Sequence, residues 1–213
     1  MIPKAVYWDM DGTLIDSEPL HEQAMIAVLK SLGITPPADL HDRIIGISAR
    51  PIYEMLHEMF GLNLSFDDWI VRKYVYYMEH VGRLKPRAGA AEIFRDLRAL
   101  GVPQAIVSNS DRLIVEANMR VLGIDRPGMK SVTRNDVRFG KPDPEPYLRA
   151  AWLTEIDPAE SFVVEDTRTG SLAGIAAGMR TLFWPQQPME TPDGAIRIDS
   201  ADELRDRLGL NDD

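Results

Sequence analysis

VYWDMDGTLIDSEPLH, residues 6 to 21, begins as an apolar, β-rich run and stops on two aspartates, Asp9 and Asp11, with Gly12 and Thr13 directly behind them. Like charges this close repel, so a cation or some chemistry should justify the pair. At i, i+2 spacing the two side chains tend to leave a strand end towards the same side. Gly12 allows the sharp turn that follows. A hard divalent cation such as magnesium prefers oxygen ligands and would relieve the repulsion. Asp and Gly are also common turn formers, so the same residues read equally as a polar strand-to-loop turn until their surroundings are known.

Outward from this stretch, short β-rich runs recur at KAVYW (4–8), PQAIV (103–107), MKSV (129–132), SFVV (161–164) and RTLFW (180–184). Helix-length amphipathic segments lie between and after them at 90–100, 111–122, 145–153 and 169–178. Short apolar strands alternating with helices predict a parallel α/β sheet covered on both faces. A last helix is expected at 200–208, with Ser200 and Glu203 as a capping box. The alternation breaks between residues 17 and 82, where the pattern is helical throughout and Gly33, Gly61 and Gly82 mark helix ends. The expected organisation is therefore a core of residues 1–16 and 83–213 and an inserted helical domain of residues 17–82, lying over the carboxyl end of the sheet. The Pro-rich WPQQPMETPDG (184–194) is assigned no chemistry. The Gly170, Gly174 and Gly178 spacing predicts close packing of a helix on the sheet.

Composition limits the partners. A net charge of −9 argues against nucleic acid or an anionic membrane as a bulk electrostatic partner, though a few placed cations can still bind a small anion. The absence of cysteine excludes disulfides, Cys-zinc sites and thiol catalysis. No apolar run approaches the ~20 residues of a membrane span, and the N-terminus has no long apolar core of a signal peptide, so the expected location is the cytoplasm.

The other chemistry-bearing residues also fall at or just after strand ends. Ser108 closes AIVSNS, Lys141 sits in FGKPDPEPY, and Glu165-Asp166 close FVVEDT. Taken singly, Ser108 is a turn hydroxyl, Lys141 a solvated charge, and the acidic pair a helix-start feature suited to the dipole. Together they supply a nucleophile, a proton-transfer group, a hydroxyl, a cation and metal carboxylates, the parts needed to transfer a phosphoryl group.

DMDGT, SNS, GKPDPEPY and VVEDTRTGSLAGIAAGM resemble, in order, the four motifs of the haloacid dehalogenase (HAD) superfamily, and the likeness spans nearly the whole chain. DGTLIDSEPLH resembles its capped sugar-phosphate phosphatases and β-phosphoglucomutases. The resemblance implies a Rossmann-like core with a small α-helical cap. It makes Asp9 the nucleophile that becomes an aspartyl-phosphate. Asp11 would protonate the leaving alkoxide and then activate water, while its backbone carbonyl binds Mg2+. Asp9, Asp166 and Glu165, the last directly or through water, would complete the metal site. Ser108, Lys141 and the backbone N–H of Asn109 would hold the transferring oxygens. Members resembling this chain that cleave carbon–halogen bonds carry tyrosine at the Asp11 position, so a carboxylate there implies a phosphoester leaving group.

Specificity is less legible. All four histidines, His21, His41, His57 and His80, lie in the helical block at spacings that match no zinc pattern. His21 stands where the resembling mutases place a histidine beside the sugar; it also reads as a first-helix residue lining the cleft without catalysis. Glu18 is a similar candidate. IIGISARP resembles the substrate-facing turn of these relatives, with Arg50 able to clamp a second anionic group or to remain a solvated helix-start residue. The cap lysine of the mutases falls on Tyr76, with Lys73 three residues earlier, which favours hydrolysis over isomerisation. The expectation is a monomeric Mg2+-dependent phosphomonoesterase for small phosphorylated metabolites, sugar phosphates first. Its rivals are a phosphosugar mutase and a catalytically silent binding protein.

Overall fold

The computed structural model describes residues 2–44, 47 and 49–211. The chain divides into two compact units, Met1–Asp16 with Lys85–Asp213, and Ser17–Leu84.

The first unit is built on six parallel strands: β1 (Ala5–Trp8), β2 (Gln104–Val107), β3 (Lys130–Val132), β4 (Ser161–Glu165), β5 (Arg180–Phe183) and β6 (Ile196–Arg197). Their order is β3-β2-β1-β4-β5-β6, the order of an open doubly wound sheet. β1 lies at the centre and all four of its residues are buried, as expected of a strand covered on both faces. The direction of winding reverses at β1, so a crevice opens beyond the carboxyl ends of β1, β2 and β4. Helices α5 (Ala90–Ala99), α6 (Arg112–Leu122), α7 (Glu145–Thr154), α8 (Arg168–Ala176) and α9 (Ala201–Arg207) complete this unit.

Three local features depart from the sequence reading. β6 is a two-residue strand in a stretch without a β-rich run, and only its pairing with β5 defines it. At α9, Ser200 Oγ does accept from the Glu203 N–H, at 3.1 Å. The Glu203 carboxylate reaches one residue further back, to the Asp199 N–H at 3.0 Å, so the box is only half closed on Ser200. A reciprocal box forms elsewhere, between Thr133 and Asp136.

Close packing of α8 on the sheet holds for two of the three glycines. A Cβ on Gly170 would overlap the Glu165 carboxylate, and one on Gly174 would press on Thr181 and Val163; one on Gly178 would meet nothing.

The second unit consists of α1 (Glu18–Ser31), α2 (Leu40–Ile44), α3 (Ala49–Phe60) and α4 (Phe66–His80). It has its own apolar centre, with Met25, Leu29, Leu56 and Trp69 buried and Tyr53 and Phe66 packed against them. Among the described residues of either unit, no helix is long and apolar enough to cross a membrane.

Candidate active site

Each strand at the crevice delivers a polar side chain just as its ladder ends. The Asp9 N–H still bonds the Val164 carbonyl of β4, which fixes the first aspartate beside that strand. The chain then turns on Met10, whose carbonyl accepts from the N–H groups of Thr13, Leu14 and Ile15. Gly12 sits in this turn at φ +83°, where any other residue is strained. It also lies against Asp166, whose carboxylate a Cβ there would overlap. Thr13 Oγ1 donates to Asp166 Oδ1 at 2.9 Å, which ties the end of β4 to the loop after β1.

The centre of the site is a buried charge cluster. Lys141 Nζ donates to Asp9 Oδ1 (2.6 Å), to Glu165 Oε1 (2.5 Å) and to the Val107 carbonyl (2.7 Å). An ammonium has three N–H donors, so all of them are spent. Burial works against the Lys141 charge, but Asp9 and Glu165 overcome it and hold the pKa above its ordinary value. Glu165 also accepts from the hydroxyls of Tyr147 (2.7 Å) and Thr167 (3.1 Å). Burial, and then the charge of Glu165, keep Tyr147 protonated far above its usual range. Asp9 carries the opposing strain. Burial, followed by the neighbouring Glu165, raises its carboxyl from 3.8 to about 8 against the pull of Lys141.

Asp9, Glu165 and Asp166 each offer a carboxylate oxygen, and these lie within 4.8 Å of one another. Among the described residues this is the only such cluster of possible metal ligands. Asp9 and Glu165 share the Lys141 ammonium, while Asp166 accepts from the Thr13 hydroxyl and lies in the field of the Arg87 guanidinium. Converging carboxylate oxygens of this kind fit a hard divalent cation such as Mg2+.

Asp11 stands apart from that cluster. Its Oδ2 accepts from the hydroxyls of Ser110 (2.7 Å) and Ser108 (3.4 Å), and its Oδ1 from the amide of Asn118 (3.0 Å). The side chain of Asn109 makes a reciprocal pair with the Lys141 backbone, at 2.8 and 3.1 Å, and so fixes the start of the lysine's loop.

Sequence reasoning passed over several contributors. Ser110 and Tyr147 lay inside quoted motifs without a role. Arg87 donates to the carbonyls of Gly12 (2.9 Å), Trp184 (2.7 Å) and Pro185 (3.3 Å), and its guanidinium stacks 3.7 Å from the Trp184 ring centroid. Burial lowers Arg87 to about 10, which still leaves it cationic at neutral pH. Gln186 donates to the same Gly12 carbonyl at 2.8 Å. The Pro-rich stretch after β5, given no chemistry from its sequence, therefore braces the loop that carries Asp11.

Candidates in the helical unit are placed as follows. The His21 ring stacks on Tyr77 at 4.6 Å, Glu18 opens α1, and the Arg50 guanidinium lies 4.0 Å over the Phe66 ring. His57 and His80 pair through Nδ1 with the carbonyls of Leu62 and Tyr76. The side chain of His41, and Ile45, Gly46 and Ser48 of the proposed substrate-facing turn, lie outside the described residues.

A family model for haloacid dehalogenase-like hydrolases matches residues 3–178. The chain belongs to that family. It is 30% identical over 197 residues to hexitol phosphatase A of Escherichia coli, covering 89% of this chain and 86% of the relative. It is 28% identical over 181 residues to a phosphorylated carbohydrates phosphatase of Thermotoga maritima, covering 84% of each. A crystal structure of a HAD family hydrolase from Deinococcus radiodurans, with bound phosphate and sodium, superposes with a TM-score of 0.73 at 30% identity over 97% of this chain and 96% of that one. By this kinship the chain is an enzyme, a HAD phosphatase.

Proposed function

We propose that this HAD phosphatase is a Mg2+-dependent phosphomonoesterase that hydrolyses small phosphorylated metabolites, sugar phosphates first, through a phosphoryl group carried on Asp9. The observation that carries the reading is the buried set of Asp9, Glu165, Asp166 and Lys141 at the reversal of the sheet, with Asp11 held separately beside it. The phosphatase relatives that act on phosphorylated carbohydrates support the substrate class.

Asp9, Glu165 and Asp166, with the Asp11 carbonyl, would hold the metal, which when bound offsets negative charge on the transferring group. The remaining work belongs to the chain. An oxygen of Asp9 closes a bond to phosphorus as the bond to the substrate oxygen breaks, and the departing alkoxide takes the proton of the Asp11 carboxyl. A water then attacks phosphorus, gives its proton back to Asp11 and displaces the Asp9 oxygen, releasing inorganic phosphate. Splitting the displacement in two and supplying a proton at the leaving oxygen each lower a barrier that water alone faces. Lys141 holds the Asp9 carboxylate in position, and to reach a phosphoryl oxygen it must exchange one of its three present partners. Ser108 and the Asn109 N–H are the further donors at this edge of the crevice.

Phosphate release from a panel of sugar, sugar-alcohol and other small phosphate esters, with Mg2+ and with EDTA, tests the reading. Turnover should require the metal and vanish in Asp9→Asn. Isomerised product without phosphate release, or no turnover by folded protein on any ester, would overturn it.

A further inference from the structure

α6 presents Ile114, Val115, Ala117 and Met119 to the interior, and among them stands Asn118, fully buried. Asn is a poor residue for a helix interior, and an amide removed from water is costly unless it is hydrogen-bonded. The structure gives the cost a purpose: Nδ2 of Asn118 reaches Asp11 Oδ1 at 3.0 Å, across 107 residues of chain. From the loop before α6, Ser110 Oγ meets the other oxygen, Oδ2, at 2.7 Å. With donors on both of its oxygens, the carboxyl plane has little freedom to rotate. Oδ2 is also the oxygen that faces Ser108, the hydroxyl assigned above to the phosphoryl edge.

We infer that Asn118 and Ser110 are positioning residues that orient the Asp11 carboxyl for proton transfer at the leaving oxygen. The inference rests on the proposed role of Asp11 as the acid. The two donors are not equivalent. An amide nitrogen can only donate, whereas a hydroxyl turns from donor to acceptor as the carboxyl changes its proton. Asn118 thus anchors one oxygen through both half-reactions while Ser110 follows the other.

Leaving-group dependence separates positioning from mere support of the fold. A sugar-alcohol phosphate needs a proton on its departing oxygen; p-nitrophenyl phosphate releases a stable phenolate and does not. The single-turnover rate of leaving-group release reports transfer to Asp9, before Asp11 is needed to activate water. In Asn118→Ala and Ser110→Ala, this first-step rate on the sugar-alcohol ester should fall roughly 10- to 100-fold, part of the ~10²–10⁴ a general acid supplies, while the same rate on p-nitrophenyl phosphate changes by less than about threefold. Ser110→Thr, which keeps the hydroxyl, should restore most of the loss. Ser110 lies in a half-buried loop, so its two variants carry the test if Asn118→Ala fails to fold. Equal losses in the first-step rate on both esters would overturn the positioning role. Asp11→Ala in the same panel keeps the two readings distinct. If it shows the selective loss of first-step rate and the other variants do not, only the present inference fails; if Asp11→Ala itself slows the first step equally on both esters, the acid role falls first.

Discussion

The two units fill their interiors with opposite materials. In the core unit the ends of β1 and β4 bury Asp9 and Glu165 against one lysine, with Asp166 buried beside them. In the helical unit the equivalent depth is occupied by rings: Tyr53 lies 5.8 Å from Trp69 and 5.5 Å from Phe66, and Leu56 and Leu29 are fully buried beside them. An apolar interior stabilises in proportion to the area it removes from water. A buried charge cluster contributes little net stability, and its retention points to chemistry. The difference teaches where to look for function in this chain, and each substitution below can break or sharpen it.

The largest effect is expected at Lys141. Lys141→Met leaves Asp9 and Glu165 buried without their cation, a change that typically costs about 3–5 kcal/mol. Activity should fall by roughly 10²–10³-fold or more, because the nucleophile loses its orienting partner and the phosphoryl edge loses its charge. Denaturant unfolding beside kcat on the best ester measures both. A Lys141→Met enzyme with nearly normal kcat would dissolve the contrast, since the cluster would then be structural after all.

Leu56→Ala should cost a comparable ~2–5 kcal/mol through its cavity, but in the other unit and without touching the chemistry. Amide exchange should rise in α1, α3 and α4 while β1, β2 and β4 keep their protection. Equal loss of protection in both units would show that they open together.

Magnesium should bind in a pH-dependent way. The carboxyl of Asp9 is raised from 3.8 to about 8, so without metal its contribution to stability is present below about pH 4 and is lost as pH rises through about 8. The metal needs the ionised form and must displace that proton at lower pH, so its affinity should climb towards pH 8. Added at a hundred times its Kd it stabilises by about 2.7 kcal/mol. At one fixed concentration, the shift in Tm should therefore be larger at pH 8 than at pH 6, and no shift should survive in Asp9→Asn at either. A shift larger at pH 6 would contradict the electrostatic account of the cluster.

How much of this could be read in advance follows from the range of each signal. β1 to β5 are short apolar runs, and periodicity exposes them directly. Asp9, Lys141, Glu165 and Asp166 announce themselves because ionisable residues at strand ends are costly to bury and few in number. The structure brings those four together. The supports are another matter. Arg87 and Gln186 act on a backbone carbonyl 75 and 174 residues away, and a carbonyl leaves no residue-type trace. Asn118 hides inside an apolar face, where one polar residue looks like a lapse in the pattern until its partner is seen. β6 exists through pairing alone. Local chemistry was legible, then, and tertiary hydrogen bonding was not.

The smallest effect is the most discriminating about the units themselves. Ser65 caps α4 by accepting the Asp68 N–H at 3.0 Å, and its hydroxyl donates to the Asp68 carboxylate at 2.7 Å; Ser200 caps α9 through the Glu203 N–H. Replacing either serine by alanine should cost about 1 kcal/mol and leave kcat unchanged. The same loss moves Tm by different amounts according to how much of the chain melts with it. One kcal/mol corresponds to about 4–8 °C for a domain of 60–100 residues and about 2–4 °C for one of 150–250. If the helical unit melts as its own cooperative body, Ser65→Ala shifts an early transition by the larger amount and Ser200→Ala shifts a later one by the smaller. If the chain melts as a whole, both substitutions give the same small shift in a single transition. The apolar interior of the insert would then owe its stability to the charged unit that carries it, and the difference between the two interiors would be one of chemistry alone.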